Sequence, residues 1–201
     1  QVVVRADSGA NAVKDLKGKS AAAQPRGNTA EEITKQIFQV NGITYNDLKM
    51  SFVSYTDAVA QVQDGHAVAF TLGTTIPSGA VMDLASARDI KLLDLADQLP
   101  AMRKLNPGYT LVTVPKGTYP KQDKDVQVIG YATHIVASCK LPEDTVYAMT
   151  KTMAQNVSQM ALVNKAIVGL TPKGMAEDIG VPFHKGAAKF YKEAGITVLS
   201  H

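Results

Sequence analysis

Short apolar runs alternate with amphipathic stretches along the first half of the chain. The runs are mostly apolar without a polar–apolar alternation, which is typical of strands with both faces buried, and they lie at residues 2–5, 20–23, 51–53, 67–72 and 90–93. Between them, apolar residues at helical spacing predict helices from Thr29 to the C-capping Gly42 and at residues 56–63 and 77–87. This order predicts an α/β fold with a mostly parallel sheet that helices cover on both faces.

The pattern changes in the second half of the chain. Residues 110–114 are a further predicted strand, and residues 126–138 are a long extended segment that Gly130 interrupts. Apolar residues at helical spacing then predict one long helix over residues 143–163 and a last helix over residues 182–194. The end of the chain is therefore predicted to be helical, whereas its middle is α/β.

This organisation predicts one nearly complete lobe and parts of another. Residues 13–126 are expected to form a compact α/β lobe, which we call lobe II. Residues 1–12 are expected to be a remnant of lobe I with a hinge strand. Residues 127–201 are expected to supply the hinge return strand and the C-terminal helices of lobe I, whose sheet is largely missing.

Composition and charge narrow the range of functions. With 45% hydrophobic and 19% charged residues the chain can bury an ordinary core, and its net charge of +3 is spread without a basic block. Basic residues form no extended block interleaved with aromatic ones, so we expect no nucleic acid partner. No apolar run approaches the ~20 residues of a membrane span. No signal peptide is visible, and Gln1 leads directly into an apolar run, so we expect that the true beginning is missing.

The residue types that carry most enzyme chemistry form no recognisable constellation. Histidines lie far apart without i, i+4 partners, so we predict no metal site; they are His66, His134, His184 and His201. Cys139 has no CxxC partner and is predicted to be a small structural residue. A nucleophilic pair with His134 is the alternative, although their spacing along a strand places them on opposite faces. Phosphate-binding and nucleophile-elbow motifs are also lacking, so we predict no cofactor and no enzyme activity.

A loop after the second predicted strand has the composition of a ligand-binding site. Ligands of parallel α/β sheets lie beyond the carboxyl ends of strands, where the N–H groups and dipole of a helix favour an anion. The candidate ligand-binding residues are Gln24, Arg26, Gly27, Asn28 and Thr29. Gly27 lets the backbone approach a ligand, and Asn28 and Thr29 add donors. Plain helix capping by Asn28 or Thr29 is the alternative, and Arg26 either pairs with a substrate carboxylate or faces solvent.

Two further loops have a similar composition. Thr71, Gly73, Thr74 and Thr75 lie at the end of another predicted strand, where hydroxyls and a glycine fit the same task. In the loop 116–120, the ring of Tyr119 could cover a ligand while its hydroxyl donates a hydrogen bond. A turn with an exposed tyrosine is the alternative for this loop.

Six segments, in order along almost the whole chain, carry a resemblance to a known family. They are residues 5–9 with 15–19; Pro25, Gly27 and Thr29 with Glu32; Asp64 and Gly65 before the strand 67–72; residues 117–120; residues 141–147 with Thr150 and Lys151; and Pro182 with His184, residues 186–188, Phe190 and Tyr191. In these segments the chain resembles the TAXI family, the solute receptors of one branch of the tripartite ATP-independent periplasmic (TRAP) transporters.

The resemblance implies a periplasmic binding protein-like fold of type II, with one complete α/β lobe and the C-terminal helical part of a second lobe. It implies a periplasmic, extracytoplasmic solute-binding protein that captures a small organic anion or an acidic or amide amino acid. The partner would be the membrane permease of a TRAP transporter. Ligand contacts carry over to residues 27–29, residues 71–75 and Tyr119. An enzyme or a ligand-sensing domain on the same bilobal fold is the alternative.

The chain also departs from the family pattern. The N-terminal lobe of a typical member, with its own ligand loop, is missing. Residues 24–26 are more polar than the small-residue loop that the family has at this place.

Overall fold

A five-stranded mixed sheet forms the centre of the first of two units into which the chain divides. The computed structural model describes residues 1–199, except the side chain of Lys165; the first unit ends at Tyr131 and the second begins at Ala132. The strands of the sheet are β1 (Val2–Arg5), β2 (Ser20–Ala23), β3 (Lys49–Phe52), β4 (Ala69–Thr71) and β5 (Ile90–Leu92). Their order across the sheet is β3-β2-β4-β1-β5.

The prediction of a mostly parallel sheet is wrong for β1. Strand β2 runs parallel to β3 and β4, whereas β1 runs antiparallel to both β4 and β5. Val2 and Val4 pack into the core on one face of the sheet and Val3 into the core on the other. The continuous apolar run therefore indicated burial on both faces correctly, but burial on both faces does not determine the direction of a strand.

Helices cover both faces of this sheet, as predicted. They are α1 (Thr29–Val40), α2 (Tyr55–Gln63), α3 (Gly79–Ala87) and α4 (Leu99–Leu105). On one face, Ile37 of α1 and Met102 of α4 pack into the core that contains Val2. On the other face, Val62 of α2 and Leu84 of α3 pack into the core that contains Phe70 and Val3. The short helix α4 had no counterpart in the predicted pattern.

A separate two-stranded hairpin completes the first unit. Its antiparallel strands are β6 (Thr110–Val114) and β7 (Val126–Gly130), which pair along their whole length. The extended segment predicted over residues 126–138 is a strand only as far as Gly130. From Tyr131 to Ser138 the described backbone forms no strand, and the side chains of Ile135 and Val136 are exposed.

The second unit is helical and has a small core of its own. Its helices are α5 (Glu143–Gln155), α6 (Val157–Val163), α7 (Pro172–Met175) and α8 (Lys185–Glu193). Val146 of α5 packs with Ala187 and Tyr191 of α8. The single helix predicted over residues 143–163 is interrupted at Asn156, whose backbone leaves helical geometry (φ −120°, ψ 23°). The Asn156 side chain donates to the Thr152 carbonyl at 2.8 Å, and such local bonds compete with the helix.

The division of the chain differs from the predicted lobe boundaries in two places. Val2–Arg5 belong to the same sheet as the strands that were assigned to lobe II. The first unit extends to Tyr131, a few residues beyond the predicted boundary at 126/127. The assignment of residues 1–12, 13–126 and 127–201 to the two lobes of a receptor stays a prediction.

A glycine controls the packing of α8 on α5. A Cβ at Gly186 would lie 2.2 Å from the Glu143 carbonyl oxygen and 2.7 Å from the Tyr147 nitrogen, both backbone atoms. We expect Gly186→Ala to lower the free energy of unfolding by about 1–3 kcal/mol or more, since the two helices must move apart. Chemical denaturation followed by circular dichroism measures this. Gly79→Ala, where a Cβ meets open space, is the matched control, and equal stabilities for the two variants would contradict the prediction.

Candidate functional site

The loops that follow β2, β3 and β4 lie along one edge of the five-stranded sheet, because these three strands are parallel. The antiparallel β1 begins at the same edge, where Val2 pairs with Thr71. Next to this pair, the Leu72 N–H donates to the Gln1 carbonyl at 3.1 Å. We call residues 24–28, 53–54 and 72–78, together with Gln1, the loop edge.

The start of α1 is capped by its own chain. The side-chain oxygen of Asn28 accepts a hydrogen bond from the Ala30 N–H at 2.8 Å, which is the N-cap geometry. The carboxylate of Glu31 accepts the Gly27 N–H at 3.2 Å. Gly27 has a φ of 84°, which favours glycine. Thus Asn28 caps the helix, Thr29 is its exposed first residue, and a buried protein carboxylate already stands at the predicted anion position.

Arg26 is exposed and stacks on aromatic rings. Its guanidinium carbon lies 4.3 Å from the centroid of the Phe52 ring and 6.0 Å from that of Tyr45. A cation–π contact of this kind restrains the guanidinium, whose N–H groups can still donate hydrogen bonds. Arg26 is therefore a restrained cation within the first loop of the loop edge.

Gln24 is buried directly after β2, and part of its amide has no partner. The residue is 5% exposed, and among the described residues its Nε2 atom finds no hydrogen-bond acceptor. The same holds for the Nε2 atom of Gln1, which is 8% exposed. Buried polar groups in native proteins are nearly always paired, so two unpaired donors at one edge need an explanation.

Gly73 holds several parts of the edge together. The Tyr131 hydroxyl donates to its carbonyl at 3.1 Å, and the Tyr55 hydroxyl contacts both its carbonyl and its N–H, at 3.2 and 3.3 Å. A Cβ here would lie 3.0 Å from the Ala30 Cβ and 3.0 Å from the Tyr131 hydroxyl. Partial desolvation raises the pKa of Tyr131, and its hydroxyl is the donor in the hydrogen bond to the Gly73 carbonyl. The loop after β4 thus packs directly against the start of α1.

The three threonines of this region differ in exposure. Thr71 is buried, and its hydroxyl accepts a hydrogen bond from the hydroxyl of Thr34 in α1 at 2.8 Å. Thr74 and Thr75 are exposed on the loop edge. The Thr71 hydroxyl therefore already has a hydrogen-bond partner within the protein, whereas Thr74 and Thr75 are exposed to solvent.

Tyr119 lies beneath the loop edge rather than over it. Its side chain is 2% exposed in the core between the sheet and α3. The hydroxyl accepts from the Ser78 N–H at 3.0 Å and donates to the Gln1 side-chain oxygen at 2.9 Å. Burial raises its pKa. The loop 116–120 lies between the strands of the β6–β7 hairpin, so it is not a strand-to-helix loop. Because the Tyr119 side chain is buried, the alternative of an exposed tyrosine in a turn is wrong.

The structure thus brings most of the predicted residues together and adds others. The first loop, the strand end with Gly73 and the buried Tyr119 all meet at the loop edge, although their role in ligand binding stays a prediction. Sequence reasoning missed Gln1, Tyr55 and Tyr131. Tyr55 had a usable signal, because Ser54 and Tyr55 follow β3 just as Asn28 and Thr29 follow β2. Gln1 and Tyr131 had none, since long-range pairing places them.

The described residues show few other features that bear on function. In that part of the chain, no cluster of histidine, cysteine and acidic side chains has the geometry to hold a metal ion. Cys139 is exposed. Among residues 1–199, no helix has the length and apolar composition that a membrane crossing requires.

Several solved structures are similar to this chain. The periplasmic aliphatic sulphonate-binding protein SsuA from Escherichia coli matches with a TM-score of 0.50 and 17% identity over 95% of this chain and 53% of its own. The alkanesulfonate-binding protein SsuA from Xanthomonas axonopodis pv. citri, bound to MOPS, has a TM-score of 0.44 and 17% identity over 95% and 54%. The substrate-binding protein of an amino acid ABC transporter has a TM-score of 0.36 and 19% identity over 95% and 58%.

The predicted fold class is confirmed by the first of these similarities. The chain has the α/β fold of a periplasmic binding protein and spans about half the length of these solved proteins. Residues 1–195 match the NMT1-like family along nearly the whole chain. By this match the chain belongs to the NMT1-like family.

Proposed function

We propose that this chain is part of a periplasmic solute-binding protein and that the loop edge forms one wall of its ligand cleft. The intact receptor captures a small organic anion or an acidic or amide amino acid. It delivers this ligand, without chemical change, to the permease of a TRAP transporter, as the TAXI resemblance implies. Membership of the NMT1-like family and the periplasmic binding protein fold support the receptor role.

The buried, unpaired amide of Gln24 is the observation that carries this proposal. A donor that is 5% exposed and has no acceptor in the described residues lowers stability unless something else pairs with it. Gln24 stands where β2 ends, which is where ligands of α/β sheets bind. A carboxylate or amide oxygen of the solute supplies the acceptor that the fold does not.

Arg26 supplies the positive charge of the proposed site. Because the rings of Phe52 and Tyr45 hold its guanidinium, less side-chain entropy is lost when it pairs with a carboxylate. The hydroxyls of the exposed Thr74 and Thr75 add donors on the neighbouring loop. In this arrangement Gly27, Asn28 and Thr29 shape the loop.

The Glu31 carboxylate changes where the ligand's own carboxylate can lie. Since Glu31 occupies the Gly27 N–H, a second carboxylate at that point would be repelled by a like charge. We therefore propose that the ligand pairs with Gln24 and Arg26, with Thr71 and Gly73 holding the neighbouring strand end in place. This assigns the start of α1 a structural part in the site.

Replacing Gln24 by methionine tests the site directly. Gln24→Met keeps the volume but removes the unpaired donor, so we expect affinity for the solute to fall about tenfold or more. Thermal stability should stay the same or rise, because no hydrogen bond within the protein is lost. The measurement is calorimetric titration of the full-length protein with glutarate, succinate, glutamate and glutamine. Gln159→Met on an exposed part of α6 is the control; a stability loss with unchanged affinity would argue against the site.

Replacing Arg26 by methionine tests the charge. We expect Arg26→Met to weaken binding of the dicarboxylates about tenfold, since it removes a charge-assisted hydrogen bond. The dependence of affinity on salt should also become weaker. Titrations at low and high salt measure both effects. Lys192→Met, which removes the same charge from an exposed position in α8, should leave both unchanged; an equal effect of the two variants would show only a general charge effect.

A further inference from the structure

Glu31 is a carboxylate that the fold buries without a cation. It lies in the first turn of α1 and is 6% exposed. Its Oε2 atom accepts the Gly27 N–H at 3.2 Å, and no ion pair among the described residues includes Glu31. Glutamates are almost never buried to this extent unless they are paired. Folding therefore leaves the charge of this carboxylate only partly compensated.

Helix capping does not account for this burial. The positive end of the α1 dipole favours an acidic residue in the first turn, but the exposed Glu32 already provides one there. Asn28 is the N-cap. The Oε1 atom of Glu31 accepts no hydrogen bond within the described residues, and it is not among the unpaired atoms that the protein encloses, so solvent reaches it. A buried carboxylate with one accessible, unpaired oxygen can accept a donor from outside the fold.

Tyr45 brings Glu31 and Arg26 to the same part of the loop edge. Its hydroxyl donates to the Glu31 backbone carbonyl at 3.0 Å, and its ring centroid lies 6.0 Å from the Arg26 guanidinium carbon. Burial and the nearby Glu31 carboxylate raise the pKa of Tyr45, whereas Arg26 lowers it, so both charges act on one hydroxyl. The two charged side chains nevertheless form no ion pair with each other. A negative and a positive group therefore lie near each other, and each can pair with a third group.

We propose, on the basis of the function proposed above, that Glu31 binds the ammonium group of the ligand while Arg26 and Gln24 bind its carboxylate. A loop with one negative and one positive group is complementary in charge to a zwitterion and not to a simple anion. The substrate class is then the α-amino acids, which carry both groups on one carbon, whether or not their side chain is acidic. Small organic anions without an amino group leave Glu31 unpaired and bind less tightly.

Burial makes Glu31 a strong acceptor for an ammonium group. The carboxylate loses most of its hydration on folding, so ligand binding does not incur that cost again. A hydrogen bond between an ammonium and a carboxylate is charge-assisted and roughly twice as strong as a neutral one. The exposed carboxylate of Glu32 offers much less, since solvent and salt screen its charge. The contribution of the ligand's amino group should therefore depend on Glu31 and not on Glu32.

Ligand pairs that differ only in the amino group test the proposal on the full-length protein. The probes are glutamate with glutarate and norvaline with pentanoate, titrated calorimetrically. We expect the wild type to bind each amino acid about tenfold or more tightly than its partner, because only the amino acid forms the charge-assisted bond. Glu31→Gln should lower this ratio about tenfold by weakening the amino acids, while glutarate and pentanoate bind equally well or more tightly. Glu32→Gln removes the same charge from an exposed position in the same turn and should leave the ratio unchanged.

Other outcomes would overturn this role of Glu31 while the receptor function stands. If the wild type binds glutarate as tightly as glutamate and Gln24→Met weakens both, the ligand is held through its carboxylate alone. If Glu31→Gln weakens glutamate and glutarate by the same factor, Glu31 acts only on the structure of the loop. Binding of glutarate but not of norvaline would show that the acidic side chain, and not the ammonium, defines the substrate class. If no probe binds the wild-type protein, the role of Glu31 is overturned together with the proposed function on which it rests.

Discussion

The insertion of β1 between β4 and β5 is the constraint on which the first unit depends. Strand β1 is antiparallel to both neighbours, and its residues Val2, Val3 and Val4 are at most 1% exposed. Two of these valines belong to one core and the third to the other. Without β1, β4 would keep only its ladder with β2, β5 would have no strand to pair with, and both cores would lose buried side chains. The same strand brings Gln1 to the loop edge, so the fold and the candidate site share one structural element.

The loop edge is held by a small number of contacts around Gly73. The Tyr55 hydroxyl ties this glycine to the start of α2, and the Tyr131 hydroxyl ties it to the end of β7. Ala30, in the first turn of α1, packs against it so closely that a methyl group would have little room. Three elements are thus fixed to one backbone position. Groups such as Gln24 and Arg26 lie on loops whose ends cannot shift freely, which limits the entropy that ligand binding would cost.

Local features of the fold could be predicted well from the sequence. Strand β2 occupies the predicted residues 20–23, and α1 begins at Thr29 after the capping Asn28, because apolar runs and caps are encoded by neighbouring residues. The direction of β1 could not be predicted, since it depends on pairing with residues about 70 and 90 positions later. The break at Asn156 was missed because a single side chain outweighs an otherwise helical pattern.

The candidate site was predictable in place but less so in detail. The rule that ligands bind beyond the carboxyl ends of parallel strands identified the loops after β2 and β4, which the structure places side by side. The burial of Tyr119 could not be foreseen, because its partner Gln1 is 118 residues away. Gly-Thr-Tyr-Pro has the composition of a turn whether its tyrosine points outward or inward. Only the tertiary fold decides between these orientations.

The buried carboxylate of Glu31 bears on how such a site could select its ligand. It stands at the positive end of the α1 dipole and accepts the Gly27 N–H, which compensates part of the cost of burying its charge. With Arg26 beside it, the loop carries one negative and one positive side chain, so the loop as a whole attracts anions only weakly at long range. Discrimination would then depend on the short-range geometry of donors and acceptors. Under the proposed function, this loop would favour a ligand that places an oxygen at Gln24 and a negative charge at Arg26, and it would disfavour an anion that merely carries more charge.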